Sequence, residues 1–140
     1  MTEYERMIDM LWRNPKLLSS ALGLDRIWIR AREYSIDIDT KEAADLVFQD
    51  SHICLASLET TCFVLELKSN IADHEVLGQL DKAVNQLKKK GQAIGHWGNV
   101  IGVAIAKVFT KSGLSLLSDK GYMSFIWMES DDSVSLRRVK

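Results

Sequence analysis

The sequence predicts an α/β domain in which one mixed sheet is flanked by helices. Three observations predict it. Helical periodicity opens the chain and returns after the third apolar run; five runs rich in β-branched and aromatic residues have strand length; and helical and strand-like segments interleave in the order α-β-β-β-α-β-α-β. Repeats and low-complexity linkers are absent, and 140 residues with 46% hydrophobic composition suffice for one core, so residues 1–140 read as a single domain.

The first helix is marked by Tyr4, Met7, Ile8, Leu11 and Trp12 at helical spacing, with Thr2 placed to cap it and Glu3 and Glu5 at the positive end of its dipole. Pro15, the only proline, disfavours helical geometry at Asn14 and should end or restart the helix, and Gly23 should close the segment. A first strand is expected from Ile27 to about Ile38, a second at Ala44–Phe48 followed by a turn at Gln49-Asp50-Ser51, and a third at Thr61–Leu67. The third is apolar almost throughout, which suits a central strand buried on both faces. From Asp73 to Lys90 the stripe Val76, Leu77, Leu80, Val84, Leu87 predicts a second helix, with Asp73 available as its cap and lysines at its negative end. Gly95-His96-Trp97-Gly98 reads as a loop, Val100–Phe109 as a fourth strand, Gly113–Leu117 as a short helix and Tyr122–Met128 as a fifth strand; the polar tail Glu129–Lys140 is expected to fray.

Charge and composition narrow the function. A net charge of −1 and a pI near 6.3 exclude the strongly basic field of a non-specific nucleic-acid binder, so any DNA affinity must come from local patches. Cys54 and Cys62 are too few for a disulfide framework and have no zinc-site spacing, so both read as core residues. With no signal-peptide pattern at the start and no apolar run of membrane-spanning length, the chain is expected to be cytoplasmic and free of membrane. His52, His74 and His96 are scattered and receive no role.

The chemistry sits at one strand end. Glu66 and Lys68 are two residues apart, so strand geometry puts both side chains on one face. Asp45 lies in the preceding apolar strand, where an unpaired carboxylate is costly to desolvate. If the two strands pair antiparallel, both carboxylates converge, and Mg²⁺ takes one or two carboxylates with water and phosphate completing its shell. Lys68 would then orient a water or steady a scissile phosphate. The plainer reading of the same residues is a charge pair at a strand end, with Asp45 opening a strand at the surface.

The runs Arg32-Glu33-Tyr34, Ala44-Asp45-Leu46-Val47-Phe48-Gln49-Asp50, Phe63-Val64-Leu65-Glu66-Leu67-Lys68 and Leu77-Gly78-Gln79-Leu80 resemble the catalytic domain of NucS/EndoMS-type endonucleases, within the PD-(D/E)XK nuclease superfamily. Asn14–Leu18 through Gly23-Leu24 and Ile101–Ala106 extend the resemblance over most of the chain. It implies a restriction-endonuclease-like core and a Mg²⁺- or Mn²⁺-dependent endodeoxyribonuclease acting on branched, flap or single-stranded DNA. Carried over by position, it makes Asp45, Glu66, Lys68 and Gln79 catalytic, assigns metal binding to Asp45, Glu66 and the Leu67 carbonyl, and makes Glu33 an accessory acid. Glu5 or Asp9 on the first helix is a weaker match for a further carboxylate. The chain departs from the family in having Ala83 where an aromatic often follows the glutamine, and in showing no counterpart of the N-terminal DNA-binding domain of NucS proteins. A homodimer or a partner protein is therefore expected to help grip DNA.

Two patches suit phosphates: Lys88-Lys89-Lys90, and Arg30 and Arg32 with Arg26 nearby. Trp97 suits stacking on an unpaired base, or else covers core; with Ile101 it also suits a partner surface. Two alternatives stand beside the endonuclease: a Holliday-junction resolvase, which needs two sites in a symmetric dimer, and a non-catalytic nucleic-acid-binding or assembly protein that keeps the fold.

Overall fold

The computed structural model describes residues 2–24, 27–37, 42–50, 60–94 and 97–139, with side chains for all of these except 28–37, 42–44, 50, 60, 90–94 and 97–98. Arg26, His52, Cys54, Gly95 and His96 lie outside the described residues, as do the side chains of Arg30, Arg32, Glu33, Lys90 and Trp97.

The helical opening divides at the proline. Helix α1 spans Glu3–Arg13, and its first turn is closed by a reciprocal pair in which Thr2 Oγ1 accepts from Glu5 N at 3.1 Å while Glu5 accepts from Thr2 N at 3.3 Å. Pro15, already at helical φ, starts α2 (Lys16–Leu22); α2 ends on Gly23 at φ 70°, where a residue without Cβ turns the chain at no steric cost.

Strands β1 (Ile27–Asp37), β2 (Glu42–Asp50) and β3 (Thr60–Leu67) form an antiparallel meander. After the short β4 (Ile71–Ala72), helix α3 (Glu75–Ile94) returns the chain to β5 (Trp97–Ala106), which lies parallel to β3. The short β6 (Val108–Phe109) and helix α4 (Lys111–Asp119) then lead to β7 (Met123–Ser130), parallel to β5, and β8 (Ser133–Val139) folds back antiparallel to β7. The main sheet has six strands in the order β1-β2-β3-β5-β7-β8, and β4 and β6 make a separate parallel pair.

Alternation along the central strands feeds two cores. Phe63, Leu65 and Leu67 of β3 with Val103 and Ile105 of β5 pack under Met7, Ile8 and Leu11 of α1 and Leu18 of α2; Cys62, Val64, Ala104 and Ala106 pack under Val76, Leu80, Ala83, Val84 and Leu87 of α3 and Leu117 of α4. Strand β3 is buried from Cys62 to Leu67, as a strand covered on both faces must be.

Several expectations need correction. The tail does not fray: Val134 and Leu136 alternate with exposed residues and pack against the α1-side core, and β8 pairs with β7 from Ser130↔Ser133 to Ser124↔Val139. Gln49 and Asp50 are not a turn but the end of β2, Gln49 pairing with Trp28 on one side and Cys62 on the other. Trp97 and Gly98 open β5 rather than sit in a loop, and Ile101, expected at a partner surface, packs against the α1-side core. The fourth strand divides at Lys107, where the N–H groups of Lys107 and Val108 both turn to Asn70 O, each at 3.1 Å. Asp73 ties two segments together instead of capping α3, since its carboxylate accepts from Thr110 Oγ1 at 2.9 Å and His74 N at 2.7 Å. Helix α3 runs on to Ile94, so the lysine run falls before its last turn.

Candidate active site

The sheet forks at the residues singled out from the sequence. Strand β2 stays paired with β1 back to Glu42, and β3 stays paired with β5 out to Leu67, yet the β2–β3 pairing stops at Leu46↔Leu65. One step beyond that last pair, Asp45 and Glu66 face each other in the mouth of the fork. Glu66, paired with Ala104, shares the α3 side with Val64, whereas Asp45, past the last β2–β3 pair, is reached from the α1 side as well.

The parting strands leave backbone donors to be satisfied. Asp45 answers one of them: its Oδ2 accepts from Leu67 N at 2.7 Å, a side chain standing in for the ladder bond that β2 no longer supplies. Its Oδ1 accepts from the Tyr4 hydroxyl, which arrives from α1. Lys68 continues the β3–β5 pairing with its N–H donating to Ile105 O at 2.9 Å. By alternation its side chain follows that of Glu66, and it is partly exposed.

Burial sets the electrostatics. Glu66 is only 6% exposed, and desolvation, reinforced by the neighbouring Asp45 carboxylate, pushes its pKa up to about 9 against a restraining pull from Lys68. Desolvation also raises the Asp45 pKa, opposed by its hydrogen bonds from Leu67 N and Tyr4 and by the Lys68 charge. Without a cation both shifts favour the protonated form of the pair. Such a pair is short of positive charge, and its hard oxygen donors are of the kind that Mg²⁺ or Mn²⁺ takes. Asp45 and Glu66 fit such an ion, although the described residues contain no cluster of three or more His, Cys, Asp and Glu side chains that could hold one.

The remaining candidates lie elsewhere or apart. Gln79 is exposed in the second turn of α3 and makes no hydrogen bond among the described residues, while Ala83, one turn on, is fully buried beneath the same helix. Glu5 is engaged in the α1 cap, and Asp9 pairs with Arg13 at 3.0 Å. Lys88 and Lys89 are exposed, but Lys88 lies thirteen residues beyond Glu75, or about 20 Å along the α3 axis at 1.5 Å per residue. Tyr4 was not singled out from the sequence as a site residue. Nothing local signals its role, because its partner is 41 residues away and its periodicity shows only an amphipathic helix.

The fork is open. Two concavities among the described residues, of about 780 and 740 Å³, lie between α1, α2 and the β7–β8 hairpin and between α4, Tyr122 and the end of β8; neither is lined by Asp45, Glu66 or Lys68. No described helix is long and apolar enough to cross a membrane.

No protein-family model matches the chain, and neither does any curated protein. Among solved structures it is similar to a complex of EndoMS with dsDNA, at 21% identity and a TM-score of 0.65 over 89% of this chain and 44% of that one. It is also similar to a repair endonuclease from Pyrococcus abyssi, at 23% identity and a TM-score of 0.65 over 89% of this chain and 46% of that one. The chain thus spans less than half the length of either neighbour. The likeness is one of fold: the chain has the α/β, restriction-endonuclease-like architecture of these two solved structures, with a mixed central sheet flanked by helices.

Proposed function

We propose that the chain is a divalent-metal-dependent DNA endonuclease domain whose catalytic cluster is Asp45, Glu66 and Lys68. One observation carries the reading: two carboxylates face each other in a forked sheet, both with raised pKa, and a lysine follows on the same face. The fold shared with two repair endonucleases supports the reaction class by analogy.

Asp45, Glu66 and the Leu67 carbonyl would hold Mg²⁺ or Mn²⁺. The bound ion would polarise a phosphoryl oxygen and acidify a water. The chain's own groups do the rest. Asp45 is fixed at both oxygens, so its remaining lone pairs have a defined direction. Lys68, partly exposed and on the same strand face as Glu66, would meet a phosphate or the attacking water and offset the negative charge that develops during phosphodiester hydrolysis. Branched, flap and single-stranded DNA are the proposed substrates. Gln79, exposed and without a hydrogen bond among the described residues, would enter only on DNA binding. A homodimer or a partner protein would extend the grip, and the exposed Lys88 and Lys89 would meet phosphates well away from the cut.

The test is cleavage of labelled single-stranded, duplex, flap and four-way-junction DNA in Mg²⁺, Mn²⁺ or EDTA. Metal-dependent cutting by the wild type, lost in Glu66→Ala and Asp45→Ala, is expected. DNA binding with no cutting, unchanged by Asp45→Ala, would favour instead a non-catalytic binding protein; cutting that requires a dimer and is confined to four-way junctions would point to a resolvase.

A further inference from the structure

A carboxylate that binds a cation works best when neighbouring donors hold its oxygens in one orientation. Asp45 has two such donors of different origin. Leu67 N is part of β3 and cannot move without the sheet, whereas the Tyr4 hydroxyl is carried by a helix.

That helix is unusually well fastened at its first turn. The Thr2–Glu5 reciprocal cap closes it. Glu3 accepts from Arg6 Nη2 at 2.7 Å and from Lys107 Nζ at 2.9 Å, and Arg6 reaches Glu129 at 2.9 Å, itself accepting from Trp127 Nε1 at 3.0 Å. Lys107 lies just past the end of β5 and Glu129 in β7, so the residues flanking Tyr4 are anchored to the same end of the sheet at which the fork opens. Exposed ion pairs contribute little to stability one by one. Their geometric effect is different: they fix where the Tyr4 ring emerges, and the ring packs partly buried against the α1-side core.

We propose that Tyr4 is a positioning residue of the catalytic cluster, its hydroxyl fixing Asp45 Oδ1 so that the free lone pairs of Asp45 and Glu66 are directed at one shared cation. The proposal rests on the metal-dependent reading above. Replacing the hydroxyl by hydrogen keeps the packed ring and leaves Leu67 N as the one donor to Asp45 outside the carboxyl pair, about which the carboxylate can pivot once a cation displaces the shared proton. Losing an orienting partner of a metal ligand typically costs about 10- to 100-fold in metal affinity or activity.

The full chain, wild type and Tyr4→Phe, is titrated with Mn²⁺ by calorimetry, and the unfolding midpoint of each is measured without metal. DNA cleavage is followed in parallel for kcat and KM. Tyr4→Phe is expected to weaken Mn²⁺ binding by about 10- to 100-fold and to lower kcat while KM for DNA changes by less than about 2-fold. Glu3→Gln, which leaves the hydroxyl but loosens its helix, should weaken Mn²⁺ binding in the same direction and by less. Wild-type Mn²⁺ affinity in Tyr4→Phe overturns the proposal, as does a wild type that binds no Mn²⁺. A wild type that binds Mn²⁺ and loses affinity in Tyr4→Phe, yet cuts no DNA, supports the positioning role and overturns the nuclease reading alone.

Discussion

At the scale of single residues, Glu66 sets an unusual direction for pH dependence. Its pKa rises from 4.5 to about 9 on folding, so between those values the folded protein binds more protons than the unfolded chain, and stability falls as pH climbs through that window. The raised Asp45 pKa acts in the same sense, whereas Glu3, lowered to about 2 chiefly by its hydrogen bond from Arg6, contributes stability that is lost as pH falls below its ordinary 4.5. The metal-free protein should therefore be less stable near pH 8 than near pH 5, with a slope of up to about 1.4 kcal/mol per pH unit for one proton. Glu66→Gln should flatten that slope, as read by denaturant midpoints across the window; an unchanged slope would remove Glu66 as its cause. The spacing of Glu66 and Lys68 was enough to put both on one face. The sequence could not show which backbone donor Asp45 would satisfy, or that Tyr4 would reach it, because those contacts depend on where two strands stop pairing.

Among the elements, β5 shows how closely the layers meet. Gly102 faces the ring of Tyr122, and a Cβ there would sit 3.0 to 3.2 Å from three of its ring atoms. The ring has little freedom to yield, since its hydroxyl donates to Asp81 Oδ1 on α3 at 2.5 Å. Gly102→Ala should destabilise the protein by about 1–3 kcal/mol, and Tyr122→Leu should recover part of that loss in the double variant; strictly additive losses would contradict the contact. The helices were legible as period, and β3 as an apolar run. Strand β8 was misread because its polar composition suggested a tail, although Val134 and Leu136 carry the alternation of a half-buried strand and Ser130 to Ser133 the turn before it. The second sheet was missed for another reason: β4 and β6 have two residues each, too short to show any period.

For the whole molecule, a net charge of −1 would leave the proposed DNA binding to a few local contacts. Lys88 and Lys89, about 20 Å along α3 from its start, would touch a substrate some distance from the cut. Replacing both with Glu should weaken DNA binding and make the slope of log affinity against log salt shallower by about 2, with kcat at saturation nearly unchanged. An unaltered slope would place the DNA elsewhere. The order of elements foretold one mixed sheet between helices, and the six-stranded sheet differs from that expectation by the added β8 edge. The position of the lysine run relative to the fork could not be read beforehand, since it depends on α3 lying along the sheet from one end to the other.

If the paired carboxylates in the fork make a metal-dependent nuclease, wild type, Glu66→Ala and Lys68→Ala will differ in their cleavage of labelled flap and single-stranded DNA. Wild-type cutting is expected in Mg²⁺ or Mn²⁺ but not in EDTA, with each variant slower by about 100-fold or more. Cutting that survives in Glu66→Ala, or proceeds equally well in EDTA, would contradict it.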